Sequence, residues 1–262
     1  MQKPTVKERS SSARPRSDIG GSASVERALS LLNTFQIGDG SLSLAELAYR
    51  TGYYKSSILR LLKSLSAFGF IEPSKTGGYR LGPSVFYLGS IYRTNLNLAE
   101  ILPNRLQSIV DQTNETASFY VRHNNSRICL YRIKPPTRLT DDIIPGVPLP
   151  LDQTANSLIL KWYDPELDPL AARKVVEIAM ITEHAGELAG LAAPVFGAGH
   201  KGNELVGALA LSGPKTRFDH ATQIRYKKIL MDEASAISRY LGGNLNRFNV
   251  KSDVARKSEH LG

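Results

Sequence analysis

The chain has 262 residues, 42% of them apolar and 22% charged, which is length enough for one large or two modest domains with a real core. Its net charge of +9 is uneven: residues 1–21 contribute +3, residues 22–82 +3, residues 83–242 only +1 and residues 243–262 +2. One cysteine, Cys129, excludes an intrachain disulfide; no apolar run reaches the length of a membrane span, and the opening Met1-Gln2-Lys3-Pro4-Thr5-Val6 lacks the apolar centre of a signal peptide, so the expectation is a soluble cytoplasmic protein with no membrane partner.

Residues 1–21 are rich in Ser, Arg, Pro and Lys and read as a disordered basic tail. Val25, Ala28, Leu29, Leu32 and Phe35 then form a helical stripe suited to pack under later helices. After a loop with Gly38 and Gly40, Ser43 and Glu46 are spaced as a capping box, in which each side chain satisfies an orphan backbone donor. Leu44, Leu47 and Ala48 follow as the apolar side of a short helix, and Thr51-Gly52-Tyr53 breaks it.

The next helix places Ile58, Leu61, Leu62, Leu65 and Phe68 on one stripe, with Gly69 where a left-handed cap belongs. Its opposite face carries Lys55, Ser56, Ser57, Arg60, Lys63 and Ser64, and no acidic residue occurs between Glu46 and Glu72. Phe70-Ile71-Glu72 and Tyr79-Arg80-Leu81 flank the turn Ser74-Lys75-Thr76-Gly77-Gly78, a hairpin by composition. This is the order of a winged helix-turn-helix over residues 22–82, whose second helix enters the DNA major groove. A basic helical face alone is more often a solvated face. The capped short helix, the basic and hydroxylic long helix and the hairpin together favour DNA. The candidate DNA-contacting residues are Ser43, Lys55, Ser56, Ser57, Arg60, Lys63, Lys75 and Arg80.

Past Gly82, residues 83–97 read as a linker helix with proline in its first turn, and its apolar face would help pair two subunits. Residues 98–242 then interleave helices and strands, an α+β domain with helices covering a sheet. The pattern predicts helices over Leu98 to Gln112, Thr154 to Tyr163, Leu170 to Met180 and Thr222 to Leu241. Strands are expected over Thr116 to Arg122, Arg127 to Ile133, Leu191 to Phe196 and Leu205 to Ser212, with Ile143 to Leu151 a proline-interrupted connector. Residues 243–262 read as a second disordered tail.

Several motifs invite an enzyme reading, and each has a plainer one. Gly197-Ala198-Gly199-His200-Lys201-Gly202 fits a dinucleotide fingerprint, but a strand pattern follows it where that site needs a helix. Asp164, Glu166 and Asp168 lack the glycine and closing glutamate of a calcium loop and read as solvated acids. The five histidines show no metal spacing, and Ser212 lies outside a nucleophile elbow. No metal, no cofactor and no enzymatic activity are therefore expected.

Several stretches resemble the IclR family of bacterial transcriptional regulators. They are Ser24-Val25-Glu26-Arg27-Ala28-Leu29, Ser43 to Ala48, Lys55 to Leu62, Gly78-Tyr79-Arg80-Leu81-Gly82, Leu149-Pro150-Leu151, Ala192 to Phe196 and Ala210 to Pro214. The resemblance runs from about Ser22 to Leu241. It implies a GAF-like core in the second domain, and a small effector held by Ala155, Asn156, Leu188, Gly190, Ala210 and Ser212. A helix starting near Gln153 or Thr154 independently offers free N–H groups to a carboxylate. Between Tyr163 and Leu191 the chain is shorter than the family pattern.

The reading that results is a repressor or activator whose partners are a double-stranded DNA operator and a small organic acid, carboxylate or aromatic. A monomer would read only about 3–6 base pairs, so a homodimer or homotetramer is expected. The rivals are a small-molecule enzyme and a sequence-neutral DNA-binding protein.

Overall fold

The computed structural model describes residues 21–95, 98–136, 143–168, 170–171, 176–184, 187–198 and 204–248. Residues 1–20 and 249–262, assigned above to the tails, lie outside the described residues, as do residues 199–203 of the glycine-rich stretch. The chain divides into two compact units between Thr94 and Asn95.

The first unit runs α1 (Ala23–Leu32), α2 (Leu44–Thr51), α3 (Lys55–Ala67), β1 (Ile71–Pro73), β2 (Tyr79–Leu81) and α4 (Pro83–Asn95). Ser43 and Glu46 close the capping box of α2, the Ser43 hydroxyl accepting from the Glu46 N–H at 3.2 Å and the Glu46 carboxylate from the Ser43 N–H at 2.8 Å. Gly52 ends α2 in the left-handed region at φ 72°, so the turn into α3 is tight. β1 and β2 pair antiparallel, Ile71 facing Leu81, and Leu42 adds a short bridge to Tyr79. Gly78 makes that bridge possible: its φ is 79°, and a Cβ there would sit 2.5 Å from the Leu42 carbonyl oxygen. Leu31, Leu42, Leu47, Ile58, Leu62, Leu65 and Ile71 form the core.

Two stripes sit differently from the sequence reading. On α1 the inward face is Ala28, Leu31, Leu32 and then Phe35, while Val25 and Leu29 are each 55% exposed. Leu31 wins because it also obeys the i, i+3, i+4, i+7 spacing and lies centrally on that face. Phe68 is 75% exposed, because it caps α3 at φ −97° and helical spacing no longer governs its direction.

The second unit contains α5 (Leu102–Thr113), β3 (Thr116–His123), β4 (Ser126–Ile133), β5 (Pro148–Pro150), α6 (Ala155–Trp162), β6 (Ala179–His184), β7 (Leu188–Gly197), β8 (Glu204–Pro214) and α7 (His220–Tyr240). The strands form one antiparallel sheet in the order β5-β4-β3-β8-β7-β6. α5 and α7 cover one face, over Phe119, Leu191, Val195, Leu209 and Leu211, and α6 covers the other. Strand alternation sends Leu191, Val195, Leu209 and Leu211 to the α5/α7 face, and Ala192, Phe196, Ala208 and Ala210 to the α6 face.

Two ion pairs, each joining a buried glutamate to a half-exposed arginine, staple this unit. Glu115, whose side chain is 1% exposed, accepts both Nε and Nη2 of Arg217 at 2.6 Å. Glu233 accepts from the Ser108 hydroxyl at 2.8 Å and pairs with Arg105 at 3.3 Å.

Four sequence expectations are corrected here. The described residues of the span Leu170 to Met180 form no α-helix: Ala179 opens the edge strand β6, and the Val176 N–H donates to the Arg247 carbonyl. Val176, Ile178 and Ile181 are β-branched, and tertiary pairing decides the ambiguity of such short apolar runs. The helix read from Leu98 begins at Leu102. Asp164 is not a solvated acid, since it pairs with the partly buried Arg122. The tail read from Gly243 is ordered through Phe248: Leu245–Phe248 form a 3-10 turn, the Arg247 guanidinium lies 3.8 Å from the Phe196 ring centre, and its Nη2 donates to the Ala171 carbonyl at 2.6 Å.

The glycine-rich stretch Gly197 to Gly202 follows β7, and β8 begins at Glu204 and pairs back antiparallel, Gly197 facing Glu204. A strand, not a helix, follows it, so no helix N-terminus is presented to a pyrophosphate. Among the described residues, no helix is long and apolar enough to cross a membrane, and no group of acidic, histidine or cysteine side chains is placed to hold a metal.

Candidate DNA-reading face and effector cavity

The α3 face opposite Ile58, Leu62 and Leu65 presents Lys55, Ser56, Arg60 and Lys63 to solvent, with Ser57 half-buried at its margin. α3 carries no acidic residue to neutralise this face. Lys75 is exposed in the β1–β2 turn. Two candidates are already engaged. Ser43 is spent in the α2 capping box, and Arg80 is ion-paired across the hairpin with Glu72 at 2.6 Å. Sequence reading passed over Tyr54, which precedes α3 and is 85% exposed, and Tyr49 on α2, which is 90% exposed. An aromatic at an exposed position beside a basic helix was the available signal.

In the second unit a cavity of about 300 Å³ opens between the α6 start and the sheet. Ala155, Asn156, Leu188, Gly190, Ala210 and Ser212 all line it. The small side chains create the space: Gly190 pairs with Ser212 on β7 and β8, Ala210 with Ser118 on β8 and β3, and none of these four fills the gap under α6. Thr154 caps α6 with extended backbone, so the N–H groups of the first helical turn have no intrahelical acceptor. The opening of the helix is therefore electropositive.

The sequence reading missed Ser118, Tyr120, Arg127, Ile143, Leu149 and Thr154, which also line the cavity. Arg127 could have been noticed, because it shares a strand face with the buried Cys129 and a charge there demands a partner. Its side chain is 5% exposed, and its Nη1 lies 2.7 Å from both the Pro150 carbonyl and Asp152 Oδ1 and 2.5 Å from Ser157 Oγ. Burial pushes the Asp152 carboxyl up. The Thr154 hydroxyl and N–H, Arg127 and Ser157 outweigh it and hold the carboxyl well below the usual carboxylate range. Burial also pushes the Tyr120 phenol up to about 12 and the Cys129 thiol up to about 11, so both are neutral at physiological pH.

A capped helix, a basic second helix and a hairpin define a winged helix-turn-helix protein, here followed by a sheet domain with a ligand-sized cavity. Comparison with known proteins makes this more specific. Residues 24–74 match the model of the IclR helix-turn-helix domain. The chain is 27% identical to the glycerol operon regulatory protein of Streptomyces griseus, over 84% of this chain and 96% of that one. It is 26% identical to the DNA-binding transcriptional repressor YiaJ of Escherichia coli strain K12, over 89% and 91%. The fold matches an IclR transcriptional regulator from Silicibacter sp. TM1040 with a TM-score of 0.72, at 22% identity over 85% of this chain and 97% of that one. It also matches an IclR homologue from Microbacterium hydrocarbonoxydans, solved with 4-hydroxybenzoate, with a TM-score of 0.68 at 17% identity over 84% and 99%. Residues 24–74 are thus an IclR helix-turn-helix domain, and the chain as a whole is similar over most of its length to DNA-binding transcriptional regulators.

Proposed function

We propose that the chain is a cytoplasmic regulator whose operator affinity is set by a small organic acid held in the cavity at the start of α6. The observation that carries this is the lining itself: small residues on three strands leave room beneath a helix start whose N–H groups await an acceptor. The cavity suits a one-ring or smaller acid, and a relative of the same fold was solved with 4-hydroxybenzoate, a molecule of that class.

On the DNA side, α3 reads the major groove through Arg60, Lys63, Ser56 and Ser57. Lys55 and Lys75 contact phosphates, while Ser43 and Arg80 support through the capping box and the hairpin. The domain limits follow as residues 22–82 for DNA, 83–97 for the linker and 98–242 for the effector. Exposed Phe86, Tyr87, Leu88 and Tyr92 give α4 an apolar surface that a second subunit would cover, yielding a dimer, or a tetramer of two such pairs. The acid acts by its differential affinity for two arrangements of the DNA-reading units.

The test is a selection of full-length protein against random-sequence duplex DNA, followed by a thermal-shift screen of carboxylates and aromatic acids. The expected result is an enriched pseudo-palindrome and a melting temperature raised by at least one acid. Equal retention of random and selected DNA at matched salt would leave a sequence-neutral binder instead.

A further inference from the structure

Resting on the reading of α3 as the groove-reading helix, we propose that Leu59 reads thymine. Its side chain packs on the C5-methyl group at the major-groove edge, so each half-site needs a thymine at the position Leu59 meets.

Among the described residues of α3, Leu59 is the one large apolar side chain that faces solvent, at 46% exposure. Ile58 and Leu62, by contrast, are buried in the core of the first unit. A single exposed leucine is ordinary on a protein surface, so its place in the helix is what singles it out. Leu59 follows Lys55 by four residues and Ser56 by three, and precedes Lys63 by four, and all three are exposed. Residues three and four apart on a helix are neighbours on its surface, so Leu59 stands within the polar row assigned to DNA. When α3 enters the groove, the leucine enters with it.

The groups around Leu59 are donors: the ammoniums of Lys55 and Lys63, the Ser56 hydroxyl and the Arg60 guanidinium. They match phosphates and the acceptor atoms of base edges. Leu59 has no hydrogen bond to offer. The major-groove edge of a base pair carries one apolar group, the thymine methyl, and an aliphatic side chain can pack on it. Covering both from water is favourable. Against any other base edge, leucine would strip water from polar atoms without replacing their hydrogen bonds. It therefore discriminates as well as binds. Tyr54, 85% exposed just before α3, lies outside the helix and off this row, and is the rival for the same role.

The experiment is a titration of full-length protein, at fixed salt, with the operator enriched from random-sequence DNA. Each thymine is replaced in turn by uracil in both half-sites, which removes only the methyl. Wild type should lose affinity at one thymine per half-site, by about fourfold for each methyl removed. Leu59→Ala should bind the thymine and uracil operators alike, and Leu59→Met, which keeps the aliphatic reach, should keep most of the wild-type ratio. Any change that uracil makes to DNA shape acts on wild type and variants equally. A merely structural leucine would make Leu59→Ala weaken both operators together and leave the ratio standing, which overturns the proposal. So does wild-type protein indifferent to every thymine methyl, or a ratio lost in Tyr54→Ala and kept in Leu59→Ala. Each of these results leaves α3 as the groove-reading helix. Failure to enrich any sequence removes that reading and this inference with it.

Discussion

At the residue scale the two units make different demands on their charged groups. On α3, Arg60 and Lys55 face water with no acidic neighbour on the helix. If Arg60 meets a guanine edge, Arg60→Ala should cost about 1–3 kcal/mol and relax specificity at one operator position. Lys55→Ala should weaken all sequences alike and lower the salt slope by about one unit. Salt-titrated binding of both variants to the selected operator checks this, and wild-type behaviour in both would mean α3 does not read the groove. In the second unit the charge is inside. Asp152 has its carboxyl held below the unfolded value of 3.8, so it contributes stability above that pH, and the contribution falls away as pH drops below 3.8. Asp152→Asn should therefore show its full melting deficit at neutral pH and a shrinking deficit below 3.8. A deficit that is constant with pH would show that the charge is not what Asp152 supplies.

At the scale of the element, α3 shows how a helix end changes the meaning of a spacing rule. Leu62 is buried mid-helix and Phe68 is exposed at the cap, although both lie on the same stripe in sequence. Leu62→Ala should cost about 2–5 kcal/mol, whereas Phe68→Ser should cost under about 0.5 kcal/mol, as denaturant melts of the full chain would report. Comparable losses would place Phe68 in a core after all. The same contrast explains what the sequence could reveal. α2, α3 and the hairpin were legible because the capping box, the 3.6 period and the glycine pair at Gly77-Gly78 are local signals. β6 was not, because Val176 to Ile181 owes its extended state to β7 and to Arg247, both distant in sequence. The six cavity residues named from the family resemblance come together around one space, whereas the partners of Arg127 were not legible, because only folding sets Asp152 and Ser157 around it.

At the scale of the whole molecule, the positive charge lies mainly in the DNA-reading part and the tails, and residues 83–242 are almost neutral. That separation suits a protein in which one unit answers to phosphate and the other to a small molecule. The claim that joins them is that occupancy of the α6 cavity changes DNA affinity. The direct measurement is a fluorescence anisotropy titration of the selected operator with wild type and Ala155→Trp, each with and without the acid found by thermal shift. Ala155 is 4% exposed at the cavity wall, so an indole there fills the space the acid would take. The account predicts that the acid shifts wild-type operator affinity, about 5- to 150-fold for a typical coupling, and leaves the Trp variant unmoved while both bind DNA equally without it. A Trp variant that still responds fully to the acid would contradict it.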